Sequence, residues 1–156
     1  MFRIIGDDLI PEEITRVLGR EPTGAEHKGQ VLGGKSTGRE RIARSGSWRF
    51  EVADRTPDDL NGQIMEIVGQ LNQDPEVWAS LVKRFRLDIF CGLFMAKRSE
   101  GLSLSPEVLL ALGTRQIELG LCLYDLTEDN TAHSVGIRSA RFRGRPSLVE
   151  KPSSYK

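Results

Sequence analysis

The most specific chemical pattern in the chain is Gly29-Gln30-Val31-Leu32-Gly33-Gly34-Lys35-Ser36, which has the spacing of a phosphate-binding loop. In such a loop backbone N–H groups cradle phosphates, a lysine in the place of Lys35 reaches the terminal ones, and a hydroxyl at Ser36 holds magnesium. Gly29, Gly34, Lys35 and Ser36 are therefore nucleotide contacts in one alternative reading. The pattern grips phosphate only between a buried strand and a helix. Here Pro22 to Lys28 is polar, and Gly38 and Gly46 follow. Gly6-Asp7-Asp8 offers paired carboxylates of the kind that hold a divalent cation. Standing just before a helix, they instead suit its positive N-terminal end. His27 and His133 have no Cys or His partner at metal-ligand spacing. Cys91 and Cys122 fall in strand-like segments, where a thiol packs as a small hydrophobe. With no nucleophile–base pair and no ligand cluster, the expectation is no catalytic residue, no metal and no cofactor.

Charge adds a second kind of candidate. The 22 basic and 22 acidic side chains cancel, but they are not evenly spread. Residues 27–49 and 133–156 each carry a net +5, so the rest of the chain is acidic. Lys28, Arg39, Arg41, Arg44, Arg138, Arg141 and Arg143 are the residues with which these segments would hold a polyanion. Zero net charge argues against a nucleic-acid protein, which is usually basic overall. Solvated loops resting on an acidic body are the plainer expectation.

The elements that must position these groups follow from periodicity. Phe2 to Ile5 reads as a strand, and Pro11 opens a helix with Glu12 and Glu13 in its first turn and Gly19 at its end. From Glu21 to Ser47 no apolar period survives, which predicts one long glycine-rich loop over 20–47. Trp48, Phe50 and Val52 alternate with charged residues as in a half-solvated strand. Leu60, Ile64, Ile67, Val68 and Leu71 make a helical stripe, and Asp74-Pro75-Glu76 starts a second helix with Val77, Trp78, Leu81 and Val82 inward. Leu87 to Met95 and Ile117 to Tyr124 are the strongest strands, separated by a helix that begins at Ser105-Pro106-Glu107.

Leu9-Ile10-Pro11-Glu12 and Leu104-Ser105-Pro106-Glu107 share one helix-start grammar, with strands on either side. Two βαβ-type halves with an extra helix pair predict an α+β, ferredoxin-like sandwich with an antiparallel-rich sheet. The expected organisation is one domain over 1–130 and a basic, partly disordered tail over 131–156. If the helices cover the Leu87, Ile89, Leu93, Leu119, Leu121 and Leu123 side, the other side presents Phe90, Phe94, Cys122 and Tyr124. Phe90, Phe94 and Tyr124 are accordingly the candidate contacts to a protein partner or to a second copy. The longest apolar run falls short of the roughly 20 residues of a membrane span, and two cysteines suit a reduced compartment. A cytoplasmic protein without membrane contact is expected.

Gly6-Asp7-Asp8-Leu9-Ile10-Pro11-Glu12-Glu13-Ile14-Thr15 and Leu18-Gly19-Arg20-Glu21-Pro22-Thr23 resemble the opening of a bacterial family catalogued as domain of unknown function 4279. Lys28-Gly29, Gly46-Ser47-Trp48 and Gly101-Leu102-Ser103-Leu104-Ser105-Pro106-Glu107 extend the likeness over roughly residues 2 to 125. One departure is Ile10, where the family tends to place a polar cap. The resemblance implies a small cytosolic bacterial domain and brings no catalytic residues. Some relatives resemble components of toxin–immunity neighbourhoods, which points to a non-catalytic protein-binding module and, in its most concrete form, to an immunity-type toxin inhibitor.

Overall fold

The computed structural model describes residues 1–33, 40–55, 58–95 and 101–125. The expected tail over 131–156 lies outside them. Four helices and seven strands follow in the order β1 (Phe2–Gly6), α1 (Pro11–Leu18), β2 (Gly24–Glu26), β3 (Val31–Gly33), β4 (Glu40–Ile42), β5 (Gly46–Phe50), α2 (Leu60–Gly69), α3 (Pro75–Arg84), β6 (Arg86–Met95), α4 (Pro106–Thr114) and β7 (Glu118–Asp125) among the described residues.

Local chemistry accounts for the helix boundaries. Proline stands in the first turn of α1, α3 and α4, where its missing N–H breaks no helical bond. Side chains of Asp59, Asp74 and Ser105 accept from Gly62, Glu76 and Val108 N–H groups at the starts of α2, α3 and α4. Ile10 gives α1 no such side-chain cap, as its departure from the family pattern implied. Gly19 closes α1 at φ 69°, a left-handed conformation that glycine adopts without a Cβ clash.

The main sheet has the order β2-β5-β1-β6-β7, antiparallel throughout except for the parallel pair β6/β7. One face carries Phe2, Ile4, Trp48, Phe50, Leu87 and Ile89 into a core shared with Ile14 and Leu18 of α1, Ile64 and Ile67 of α2, Trp78 and Leu81 of α3, and Val108 and Leu112 of α4. All four helices thus cover the same face. Trp48 Nε1 donates to Thr15 Oγ1 at 3.0 Å and Trp78 Nε1 to the Asn72 carbonyl at 2.8 Å, so both buried indoles satisfy their polar atom.

The mixed α+β class and the mostly antiparallel sheet match the expectation. β6, α4 and β7 form a βαβ unit with adjacent parallel strands, whereas β5 lies antiparallel to β1 and separates it from β2, which runs parallel to β1. Periodicity marks strands but does not say which of them pair, and the long connection between α1 and β5 allows the chain to reverse. That connection is also not one loop. β2 adds a short strand beside β5, and β3 and β4 form a separate two-stranded ribbon. Val31 and Ile42 of the ribbon are mostly exposed, so no core face wrote a period into its sequence.

Candidate functional site

The face of the sheet turned away from these four helices divides into a charged part and an aromatic part. On the charged part, β1 sets Arg3 opposite Asp88 of β6. Arg3 Nε and Nη2 donate to the two Asp88 carboxylate oxygens at 2.6 and 2.9 Å, a bidentate pair. Asp88 is only 2% exposed. Arg86 stands 3.6 Å from the same carboxylate and donates to Glu118 of β7 at 3.2 Å. At the other end of the sheet Glu26 accepts from both Arg41 and Arg49 at 2.8 Å, tying the ribbon to β2 and β5. Arginine and acid alternate here so that each charge meets its opposite.

The aromatic part begins at Phe90, over whose ring the Arg3 guanidinium lies 4.8 Å from the centroid. Phe90 stands beside Gly120, Gly92 beside Cys122 and Phe94 beside Tyr124 in the parallel register. A Cβ on Gly92 would lie 3.4 Å from the Tyr124 ring, and one on Gly120 would lie 3.8 Å from that of Phe90. The rings therefore cover the glycine backbone as neighbouring side chains otherwise would. Phe94 and Tyr124 stack with centroids 4.9 Å apart and planes 14° from parallel. They nonetheless remain 54% and 40% exposed. A hydrogen bond with the Cys122 side chain, and the charge that thiol would carry, push the Tyr124 phenol above its ordinary range. Cys91 is raised too, chiefly by burial.

Pairing to β1 explains where the two parts meet. β1 runs alongside β6 from Arg86 to Ile89, and the Phe90 N–H donates to the Met1 carbonyl at 2.9 Å. Beyond that point β6 and β7 continue together, with no further strand beside either among the described residues. On the helix side of this outer end Leu121 is exposed and Leu123 is 62% exposed, because the α4 residues that enter the core are Val108 and Leu112.

Of the partner-binding candidates, Phe94 and Tyr124 come together in the open, while Phe90 is half-buried under Arg3. The other candidates are scattered. Gly29 lies in a turn at φ 83°, with its N–H donated to the Ala43 carbonyl at 2.8 Å. Val31–Gly33 of the phosphate-loop pattern then pairs with Glu40–Ile42. The start of the pattern therefore runs into an exposed ribbon, and no buried strand precedes it. Gly34, Lys35 and Ser36 lie outside the described residues, as do Arg39, Arg138, Arg141 and Arg143. Lys28 pairs with Asp7 at 3.2 Å, Arg41 with Glu26, and Arg44 is exposed. Asp8 meets Arg84 at 3.2 Å, so Asp7 and Asp8 each face a cation. His27 lies 3.1 Å from Glu12, whose carboxyl is held below its usual range first by its own backbone N–H and then by His27.

Sequence reasoning missed the Arg3–Asp88 pair. Its one signal was an acid in the middle of an otherwise apolar strand, which becomes meaningful only when β1 is known to lie alongside. A family model described as Domain of unknown function (DUF4279) matches residues 1–126. No curated protein and no solved structure matches the chain.

Proposed function

Because the chain belongs to the family of the domain of unknown function DUF4279, which brings no reaction with it, we propose from the site itself that it is a non-catalytic protein-binding module. The observation that carries this reading is the stacked, exposed Phe94–Tyr124 pair on a part of the sheet that no other layer covers among the described residues. Paired aromatic rings offer a large, rigid contact area at little entropic cost, and such anchors dominate many protein interfaces. The neighbouring Arg3 is engaged by Asp88, and Arg41 and Arg49 by Glu26. Each of these cations is already engaged by a carboxylate of the protein, which favours a protein surface over a polyanion. A partner toxin inhibited by this protein in the bacterial cytoplasm is the most concrete form of the reading.

The test compares the parent with Phe94→Ser and Tyr124→Ser. A partner captured by the tagged parent, identified by mass spectrometry and re-measured by titration with purified protein, is expected to be lost with either variant while thermal melting hardly changes. Equal affinity in parent and variants would sink the proposal. So would binding of ATP or GTP with magnesium that Lys35→Ala abolishes, since the phosphate-loop pattern would then be the working site.

A further inference from the structure

The ribbon of β3 and β4 is a sheet of its own, and its backbone bonds close on itself. At its root the Gly29 N–H donates to the Ala43 carbonyl and the Ala43 N–H to the Gln30 carbonyl, at 2.8 and 2.9 Å. Side-chain charges tie it to the body. Arg41 of β4 donates to Glu26 of β2 at 2.8 Å, and just before β3 Lys28 stands 3.2 Å from Asp7 and His27 3.1 Å from Glu12 of α1. A ladder is lost only by breaking many bonds together, whereas a few exposed charge pairs open locally and are weakened by salt.

Glu26 is the centre of this arrangement. One of its oxygens, Oε1, accepts from Arg41 Nη2 and from Arg49 Nη2, both at 2.8 Å. The Glu26 side chain is 12% exposed and that of Arg41 is 62% exposed. A buried acid that loses its only cation is costly, but Glu26 keeps Arg49 when Arg41 leaves, and Arg41 returns to water. Neither charge is stranded, so the pair can open without penalty beyond its own weak attraction. We propose that the ribbon is a hinged arm, held down on β2 and α1 by these charge pairs and released as a unit when they are screened. The connections at 27–30 and 43–45 take up the change in backbone angles, with buried Ala43 as the pivot. While closed, the arm keeps Lys28 and Arg41 on the protein's own carboxylates, so these two cations reach an acidic ligand only on opening. The arm lies apart from the Phe94–Tyr124 stack in sequence and sheet, so the inference does not rest on the partner reading.

The test places nitroxide labels on Glu40→Cys in β4 and Lys83→Cys in α3, both exposed positions, in the full chain carrying Cys91→Ser and Cys122→Ser. The distance between the labels is read by pulsed electron resonance. At about 0.01 M salt one narrow distance is expected. At about 1 M, where the screening length has fallen from about 30 Å to about 3 Å, a second and broader population should grow several-fold. Arg41→Gln leaves Glu26 with Arg49 and should raise that population at low salt already, with the thermal melt unchanged. A single distance that neither salt nor Arg41→Gln alters would overturn the proposal, and so would a salt response that is the same in Arg41→Gln as in the parent. A lower melting temperature in Arg41→Gln would count against it too, since the pair would then hold the domain together rather than the arm. Phe94→Ser should leave the distances as they are, so failure here and failure of the partner reading can be told apart.

Discussion

The two ends of strand β6 share one sequence grammar and meet opposite fates. At the inner end Leu87 and Ile89 point into the core, where Phe2 packs edge-on to Trp48 with centroids 6.1 Å apart and against Trp78 at 6.0 Å. Even the acid on the other face, Asp88, is buried with its own arginine. At the outer end the alternation continues through Phe94 and, on β7, through Leu123 and Tyr124, yet these residues face solvent. What differs is the neighbours. The inner end has β1 on one side, β7 on the other and helices above, whereas β1 stops short of the outer end. Alternation shows that a strand has an apolar face; it does not show that a second layer exists to bury it. One end of the strand builds the domain, and the other presents a surface.

Substitutions on either side of that divide should separate cleanly. Trp48→Ala removes a fully buried indole and is expected to cost about 3–5 kcal/mol in urea unfolding. A loss below about 1 kcal/mol would mean that the inner end is not the centre of stability. Asp88→Asn breaks the bidentate pair and leaves Arg3 without its counter-charge. Because Arg3 is 24% exposed, the expected cost is about 2 kcal/mol, below the roughly 3–5 kcal/mol of a fully buried pair. The double change Arg3→Met with Asp88→Leu should recover most of that loss. If it does not, the pair holds more of the sheet together than its own two charges. At the outer end Phe94→Ser should change stability by less than about 0.5 kcal/mol. A larger loss would make Phe94 a core residue and erase the distinction between the two ends.

Much of the inner end was legible beforehand. Trp48 and Phe50, Leu87 and Ile89, and the stripes of α2 and α3 stood out because each buries one face, and burial imposes a period. The starts of α3 and α4 at Asp74-Pro75 and Ser105-Pro106 were visible for a different reason, since capping is settled within a few residues. β2, β3 and β4 were not visible. Each is three residues long, and the ribbon buries neither face, so no pattern distinguished it from a loop. Among the candidate contacts, the approach of Phe94 and Tyr124 was readable as a shared side of the sheet. Their stacking depended on the parallel register of β6 with β7.

The sequence by itself determined the α+β class, the order of most elements and which faces are apolar, because these depend on local propensity and on periods of two or 3.6 residues along a continuous stretch. Tertiary structure alone decided that β5 lies antiparallel to β1, that Arg3 finds Asp88 across 85 positions of chain, and that β6 and β7 run on past β1 with their aromatic pair stacked and exposed. Those outcomes follow from which segments become neighbours. Adjacency is set by competition among all the apolar faces for one shared core, and no local stretch of residues encodes the result of that competition.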